Sequence, residues 1–428
     1  MLRLIKKGII SDSAYSLYAQ ACLLLANFTL FVVLIKGADT SSFGHWALFI
    51  TLISITDSFR QGLLQNGFIR LYIQQNDQQA SLITTAGIIN FAFIGLSSLG
   101  FLVVAALQDV GLFRELLFHG FKSLLALGSL QFLNMLNIAQ KDFKGYFIQN
   151  FIYLCGIALG MLWLFLRGSV GFIEIINLQL LASGLVFIVY MLRKPQAWAK
   201  PKTSQFKALW AFGKYAAGTN LLSMLFHKAD VLMLAFFTNP ATVALFHFAT
   251  KITGYTDLPM NACSQVIYPE LATSYRKNNE THLKRTYLKS ILRLLALATP
   301  IIIAVMLFNK EIIKILSTDD YSSSSAVIII LLLGALIKPV GRVFGLLLDA
   351  MGKPKVNFQM LAFSLVVNVT MNLTLIPSLG IIGAAIATST SIVLTVLVGQ
   401  IRLRKWLRVR LKDLTPFYQN VKGKIVFT

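Results

Sequence analysis

Long apolar segments alternate with short polar ones along almost the whole chain. A helix needs about 20 apolar residues to cross the roughly 30 Å hydrocarbon layer of a bilayer. We predict spans near residues 14–35, 43–64, 82–106, 112–138, 147–166, 171–192, 208–237, 241–267, 290–308, 325–349, 356–376 and 382–401. The pattern therefore predicts an all-α polytopic membrane protein with twelve transmembrane helices.

The charges of the connecting loops predict the orientation. When the N-terminus is placed in the cytoplasm, 27 of the 39 lysines and arginines fall in cytoplasmic segments, five in external segments and seven within spans. Cytoplasmic loops are enriched in lysine and arginine. We therefore expect a multi-pass protein of the cell inner (cytoplasmic) membrane, with both termini in the cytoplasm.

The spans divide into two halves of six. We predict an N-lobe at 1–192, a cytoplasmic linker loop at 193–207, a C-lobe at 208–401 and a basic cytoplasmic tail at 402–428. Because each half has an even number of spans, both halves have the same orientation. Such halves are related by a pseudo-two-fold axis along the membrane normal.

Composition excludes several classes of function. Only 13% of the residues are charged, against about a quarter in soluble domains. The net charge of +22 is scattered between apolar segments and forms no single face, which argues against nucleic acid as a partner. The chain has no histidine or cysteine spacing typical of a metal site and no nucleotide-binding or hydrolase motif. We expect a transporter without a cofactor or catalytic residues, not an enzyme.

We assign eleven charged residues to the interior of the membrane, where each costs about 2.5–3.5 kcal/mol at the helix centre. The seven cations are Arg60, Lys122, Lys214, Lys228, Lys251, Lys338 and Arg342, and the four acids are Asp57, Asp230, Asp257 and Asp349. Even if each acid paired with one cation, three cations would remain unpaired. A water-filled cavity with surplus positive charge would accommodate them, and it would suit an anionic ligand such as a phosphate or diphosphate. All seven cations are therefore candidate substrate contacts.

Depth in the membrane distinguishes these cations. Lys251 and Lys338 lie about ten residues inside their spans, where a side chain cannot easily reach the surface. Pro339 can kink its span, and Arg342 lies one turn after Lys338 on the same face. We expect these cations to contact the substrate.

The other intramembrane charges have simpler alternatives. Arg60 and Lys214 lie near span ends and can extend to the surface. Asp57 is three residues before Arg60, so the two can form a structural ion pair. Lys228 and Asp230 are two residues apart and face different sides of a helix, so each needs a partner elsewhere.

A polar stripe on the fourth span has two interpretations. Glu115, His119 and Lys122 have i, i+4, i+7 spacing, and Gln131, Asn134 and Asn137 follow. The stripe could line a polar cavity, or it could form a hydrogen-bonded seam between helices.

Two stretches of the second half carry a recognisable pattern. The stretch Phe206–Ala272 has an aspartate, Asp230, followed by an apolar run, and then Lys251 near the middle of the next span. The stretch Asp349–Thr388 has a Met-Gly-Lys turn, Asn368 and Asn372, and an Ile-Pro-Ser-Leu-Gly turn. Both stretches resemble the Wzx/RfbX-type polysaccharide flippases of the multidrug/oligosaccharidyl-lipid/polysaccharide (MOP) superfamily. Ala244 and Phe246 stand where that family usually has glycine and tyrosine.

The resemblance implies two six-helix lobes around a cationic cavity. It further implies a flippase that moves undecaprenyl-diphosphate-linked oligosaccharides by alternating access, for O-antigen lipopolysaccharide or exopolysaccharide biosynthesis. The polymerase and glycosyltransferases of such a pathway would be its partners. Asp230, Asp57 or Asp257 could couple the cycle to protons or sodium ions.

Two other functions compete with this one. A multidrug or metabolite antiporter of the same superfamily would favour surplus buried acids if its substrate were a cation, whereas here the buried cations outnumber the acids. A membrane-embedded sugar polymerase or ligase would need a sizeable external loop, and the predicted external loops are very short.

Overall fold

The structure is a computed structural model that describes residues 2–74, 78–168, 170–194, 199–277 and 279–407, with backbone alone at 2–11, 13, 66, 212, 354 and 405–407. These residues form α-helices and a single 3₁₀ turn, Asp319–Tyr321, and contain no β-strand. The predicted all-α class is confirmed. The predicted basic tail lies outside the described residues from position 408 onward, as do residues 195–198 of the linker.

Fifteen α-helices follow one another in the described part of the chain. They are α1 (Leu2–Gly37), α2 (Thr40–Gln74), α3 (Gln79–Ala106), α4 (Leu112–Phe118), α5 (Gly120–Ala139), α6 (Phe143–Leu166), α7 (Phe172–Arg193), α8 (Thr203–Phe237), α9 (Pro240–Tyr255), α10 (Asp257–Arg276), α11 (Glu280–Leu307), α12 (Asn309–Leu316), α13 (Ser324–Ala335), α14 (Lys338–Ala350) and α15 (Pro354–Leu407). All twelve predicted spans coincide with helix.

The number of spans depends on how bent helices are counted. Of the described helices, seven are long and apolar enough to cross a membrane, and two bent pairs bring the number to nine. The pairs are α4 with α5, bent by 46°, and α13 with α14, bent by 44°. The second and eighth predicted spans are helical but carry more polar residues. The protein is thus a multi-pass membrane protein, and twelve spans remain a prediction.

The longest helix, α15, contains two of the predicted spans. Its apolar part, Lys355–Arg404, has 50 residues and would be roughly 75 Å long if straight, more than twice the hydrocarbon thickness. Gly380 interrupts it with φ 56° and ψ −130°, a conformation that L-residues with a side chain rarely adopt. The turn predicted near Pro377 therefore lies at Gly380 and separates the eleventh span from the twelfth.

Short polar side chains begin several helices. The carboxylates of Asp39 and Asp142 accept hydrogen bonds from the backbone N–H groups three residues later, at 2.9 and 2.8 Å. The carboxamide oxygens of Asn239 and Asn279 do the same for α9 and α11, both at 2.9 Å. These caps satisfy N–H groups that have no partner within the helix, and they fix the short turns between spans.

The chain divides into two compact units. The first is Met1–Lys228 with Leu316–Thr318, and the second is Ala229–Ile315 with Asp319–Thr428. The boundary between the two units falls within α8, between Lys228 and Ala229. The lobe boundaries predicted from the sequence remain a prediction. Inside the first unit α1 packs on α6 and α5 packs on α7. Inside the second unit α13 and α14 both pack on α15.

In the first unit, α2 and the first half of α8 approach each other closely at glycines. A Cβ atom on Gly213 would lie 2.1 Å from the backbone oxygen of Leu63, and one on Gly62 would lie 2.6 Å from the Cα of Ala217. Ser58 Oγ also donates a hydrogen bond to the Asn220 carbonyl at 3.2 Å. Glycine is therefore required at this crossing, because the atoms that a side chain would meet belong to the backbone.

We predict that Gly213→Ala lowers the stability of the first unit. Overpacking of this kind typically costs about 1–3 kcal/mol, and backbone atoms cannot move aside as a side chain can. The matched control is Gly218→Ala on the same helix, where a Cβ meets nothing within 4 Å. Thermal unfolding of the purified variants in detergent measures the difference, and equal midpoints for the two variants would contradict the prediction.

Candidate functional site

The first unit contains a buried ion pair on α2. Arg60 and Asp57 are 3% and 6% exposed, and Arg60 Nη2 and Nε donate to Asp57 Oδ1 at 2.6 and 2.9 Å. Arg60 Nη1 donates to Asn90 Oδ1 on α3 at 2.6 Å, and Gln61 Nε2 donates to Asp57 Oδ2 at 2.6 Å. The structural ion pair expected from the i, i+3 spacing is present, so neither charge needs a ligand for neutralisation.

A small cleft adjoins this pair. Arg60, Leu64 and Phe132 line it together with three glutamines, Gln61, Gln65 and Gln131. Within the described part of the chain, the side chains of Gln65 and Gln131 make no hydrogen bond. Because Asp57 neutralises Arg60, the cleft is polar but close to electrically neutral. Amide groups beside an apolar wall suit a hydroxyl-rich neutral group better than a diphosphate.

The polar stripe of the fourth span crosses a bend. The helix bends by 46° at His119, between α4 and α5, where Gly120 lowers the cost of leaving regular helix geometry. Helical hydrogen bonds continue through the bend, since the His119 N–H donates to the Glu115 carbonyl and the Ser123 N–H donates to the His119 carbonyl. Lys122 Nζ donates to Asn177 Oδ1 on α7 at 2.8 Å. The i, i+4, i+7 alignment of Glu115, His119 and Lys122 stays a prediction.

The rest of the stripe divides between the two interpretations. Asn134 and Asn150 exchange hydrogen bonds of 3.3 and 3.1 Å between α5 and α6, and Asn137 donates to Gln149 on α6. These residues form the seam between helices. Gln131 lines the cleft beside Arg60 instead.

In the second unit the bend between α13 and α14 places two cations near α10. Pro339 lies in the first turn of α14, as expected for a proline that begins a new helical segment. Lys338 Nζ lies 3.0 Å from Asp257 Oδ2, with both side chains about one-third exposed. Arg342 Nη2 donates to Asn261 Oδ1 at 2.6 Å, and its Nε donates to Ser264 Oγ at 3.2 Å.

The charges of this cluster do not cancel. Asp257 neutralises Lys338, whereas both partners of Arg342 are neutral, so Lys338, Arg342 and Asp257 together carry one net positive charge. The cluster is accessible, because the Lys338 side chain is 30% exposed and Arg342 is exposed. An accessible guanidinium held in place by neutral groups can bind an anion in a bidentate manner.

The remaining predicted cations are less closely assembled. Lys251, on the last turns of α9, and Lys228, on α8, are both half-buried. Lys214 is exposed, with its Nζ 5.0 Å from the ring centre of Tyr215. The structure thus brings Lys338, Arg342 and Asp257 together, whereas Arg60 and Lys122 lie in separate clusters of the first unit.

Asp230 lies in a fully polar, uncharged pocket of the second unit. Asp230 is 4% exposed, and its Oδ1 accepts hydrogen bonds from Asn368 Nδ2 at 2.9 Å and Asn372 Nδ2 at 2.6 Å. Its Oδ2 accepts one from Thr388 Oγ1 at 2.6 Å. None of the described cationic side chains pairs with it.

The partners of Asp230 leave its charge in place, because all three are neutral donors. The buried Oδ1 of Asn372 has no hydrogen-bond partner among the described residues. A proton or a small cation on Asp230 would neutralise the carboxylate. Sequence reasoning named Asp230 but not Asn368, Asn372 and Thr388 as its partners, although two asparagines one turn apart in an apolar span are an unusual pattern.

Known proteins with similar sequences include two probable flippases. The probable low-salt glycan biosynthesis flippase Agl15 of Haloferax volcanii is 25% identical over 219 residues, which are 51% of this chain and 46% of that protein. The probable flippase AglR of the same organism is 25% identical over 211 residues, which are 49% of this chain and 44% of that one. The matched region thus spans about half the length of each of these relatives.

Solved structures with the same architecture include two kinds of transporter. The lipid II flippase MurJ in an inward closed conformation has a TM-score of 0.72 at 16% identity, over 91% of this chain and 87% of that one. An inward-facing MATE-family multidrug resistance transporter of the MOP superfamily has a TM-score of 0.70 at 15% identity, over 92% and 95% of the two chains. At these identities the comparison shows the fold alone.

We predict that Asp57→Asn destabilises the first unit strongly, because it leaves the Arg60 charge buried and unpaired. Removal of one partner from a buried pair typically costs about 3–5 kcal/mol. The double variant Asp57→Asn/Arg60→Leu should recover part of the loss. Unfolding in mixed micelles measures the stability of the single and the double variant.

The control is Arg293→Gln, which breaks the exposed pair with Glu270 and should cost at most about 1 kcal/mol. A similar loss in Asp57→Asn and Arg293→Gln would contradict this account.

The sequence of the chain also matches a family model. The model, described as "polysaccharide biosynthesis protein", matches residues 39–326, which include the Asp57–Arg60 pair, Asp230 and Asp257. The match covers more than half of the chain, and the fold agrees with the resemblance noted from the sequence. The chain therefore belongs to the polysaccharide biosynthesis protein family.

Proposed function

We propose that this protein is a flippase that moves undecaprenyl-diphosphate-linked oligosaccharides from the cytoplasmic to the external leaflet of the inner membrane. It would act by alternating access through a cationic cavity and without catalysing a chemical reaction. The observation that carries the proposal is the net positive cluster of Lys338 and Arg342 in an apolar span. The similarity to Agl15, described as a probable flippase of low-salt glycan biosynthesis, supports the same class of substrate.

The cluster on α14 suits the diphosphate. A diphosphate that leaves the aqueous phase must exchange its water shell for donors of opposite charge. Arg342 offers a planar donor set, and Lys338 can exchange its contact with Asp257 for a contact with phosphate. Lys251 would add a further positive charge. The cluster contributes electrostatics and hydrogen bonds, and no bond of the substrate needs to break.

A multidrug antiporter of the same superfamily is the alternative, and its support is the fold shared with MATE transporters. Such a protein, if its drugs were cations, would need an accessible acid with no neutralising cation. Of the four intramembrane acids, Asp57 and Asp257 are paired with cations and Asp230 is buried among amides. Asp349, near the end of α14, is exposed and accepts a hydrogen bond from Asn357. One such acid against the surplus of intramembrane cations favours an anionic substrate over a cationic one.

Transport by the purified protein in proteoliposomes tests the proposal. We expect flipping of a fluorescent undecaprenyl-diphosphate-linked oligosaccharide and no transport of a cationic dye. Arg342→Gln and Lys338→Gln should each weaken substrate binding about ten- to a hundredfold, which corresponds to the loss of one charge-assisted hydrogen bond of about 1.5–3 kcal/mol.

Arg293→Gln is the matched control, since Arg293 is an arginine of the same unit whose partner is an exposed glutamate. Flipping should be unchanged in this variant. Transport of the cationic dye without flipping of the lipid-linked oligosaccharide would favour the antiporter. Normal flipping in both Arg342→Gln and Lys338→Gln would overturn the assignment of the site.

We further propose that Asp230 couples transport to a cation, either a proton or sodium. A buried carboxylate with neutral partners gains free energy when a cation neutralises it, so cation binding can favour one conformational state. We expect the flipping rate of the wild type to depend on the sodium concentration or on pH. Asp230→Asn should abolish that dependence, because the amide cannot be neutralised by either ion.

Asp349→Asn is the control for this substitution, since Asp349 is an exposed acid that also accepts a hydrogen bond from an asparagine, Asn357. Flipping by this variant should retain the dependence of the wild type. Retention of the full dependence in Asp230→Asn would show that coupling occurs elsewhere.

A further inference from the structure

Helix α10 of the second unit has two stripes of exposed side chains beside the side that packs on α11 and α14. One stripe is apolar and consists of Leu258, Ala262 and Val266, which are spaced i, i+4, i+8. Residues at this spacing lie on one face of a helix. An exposed apolar stripe on a membrane helix suits the hydrocarbon chains of lipid. The neighbouring stripe has the opposite character.

The polar stripe consists of Asn261, Gln265 and Tyr268, which are spaced i, i+4, i+7 and are all exposed. Asn261 and Gln265 lie inside the predicted eighth span, and Tyr268 follows its last residue. Polar side chains at such depth face a water-filled cavity or the interior of the helix bundle, because lipid cannot hydrogen-bond to them. We therefore expect this face of α10 to border water.

The polar stripe begins at the cationic cluster. Asn261 Oδ1 accepts a hydrogen bond from Arg342 Nη2 at 2.6 Å, and Ser264 Oγ accepts one from Arg342 Nε at 3.2 Å. Gln265 follows Ser264 by one residue, and Tyr268 lies about 6 Å beyond Ser264 along the helix axis, toward the end predicted to be cytoplasmic. A group attached to an anion at Arg342 would therefore lie beside Gln265 and Tyr268.

The side chains of Gln265 and Tyr268 are available to a ligand. Within the described part of the chain, neither side chain makes a hydrogen bond. Pro269, four residues after Gln265, has no N–H, so the Gln265 carbonyl also lacks the usual helical hydrogen bond. This part of the stripe thus offers an amide, a carbonyl and an aromatic ring with a hydroxyl group, and it carries no charge.

These groups match the chemistry of a sugar. Amides and carbonyls supply the donors and acceptors that hydroxyl groups need. The C–H groups on the face of a sugar ring can pack on the electron-rich face of a tyrosine ring. In a lipid-linked oligosaccharide the first sugar is bonded directly to the diphosphate, so it must lie next to the residues that bind the diphosphate.

We propose that Gln265 and Tyr268 recognise the first sugar of the substrate and make the protein specific for it. Gln265 exchanges hydrogen bonds with the sugar hydroxyl groups, and Tyr268 stacks on the sugar ring, while Arg342 holds the diphosphate. This inference rests on the proposed function, because it places the sugar by way of the diphosphate.

The binding of two lipids to the purified full-length protein in nanodiscs tests the inference. One lipid is the undecaprenyl-diphosphate-linked oligosaccharide extracted from the native membranes, and the other is undecaprenyl diphosphate, which has no sugar. We expect the wild type to bind the first lipid about tenfold more tightly. Gln265→Leu and Tyr268→Leu should each lower this ratio about three- to tenfold, as expected for the loss of one ordinary contact. Arg342→Gln should weaken the binding of both lipids and leave the ratio unchanged.

Tyr275→Leu is the matched control, since Tyr275 lies two turns beyond Tyr268 on the same face of α10 and is 42% exposed, against 43% for Tyr268. The ratio should be that of the wild type. Tyr268→Phe keeps the ring and should retain most of the preference for the sugar. Tyrosines are also common where helices leave the membrane. If Tyr268 had only that role, Tyr268→Leu would alter stability and not the ratio.

Unchanged ratios in both Gln265→Leu and Tyr268→Leu, with both lipids still bound, would overturn this inference and leave the proposed function intact. Equal changes of the ratio in Tyr268→Leu and Tyr275→Leu would also overturn it, because the effect would then be general to tyrosines of this helix. If the wild type bound neither lipid, the proposed function itself would fail.

Discussion

A charge inside an apolar helix must be neutralised, hydrated or bound by a ligand, because a bilayer offers it no solvation. The arrangement of polar residues in this protein follows from that constraint. Arg60 is neutralised on its own helix by Asp57, and Lys338 is neutralised across helices by Asp257. Arg342 keeps its charge among neutral partners. Only the last arrangement leaves an attractive site for an anion.

The two units handle buried polarity differently. In the first unit Asp57, Arg60 and Asn90 form a buried hydrogen-bonded network, and the neighbouring cleft is lined by amides. In the second unit Asp230 is surrounded by three neutral donors. A buried charge with neutral partners responds to ions, whereas a completed ion pair resists them. The proposed binding of substrate charge and the proposed coupling are therefore both placed in the second unit.

Breaks in the helices place these groups. The bend between α13 and α14 puts Lys338 at the beginning of a helix rather than in the middle of one, and Pro339 tolerates that position because its missing N–H would have had no partner there. Gly380 reverses the chain within α15, so that Asn368 and Thr388 come from successive spans and meet at the same carboxylate. Irregular backbone inside a membrane protein is tolerated where neighbouring polar groups surround it.

The sequence by itself determined the class of the protein, the position of its helices and the turn near Gly380, because apolar length and helix-breaking residues act locally. It also predicted the Asp57–Arg60 pair, whose partners are three residues apart on one helix. Only the tertiary structure decided that Asp257 neutralises Lys338, 81 residues away, and that Asn368, Asn372 and Thr388 converge on Asp230 across 138 to 158 residues. Contacts of this kind depend on which faces of distant helices pack together, and hydropathy carries no information about that choice.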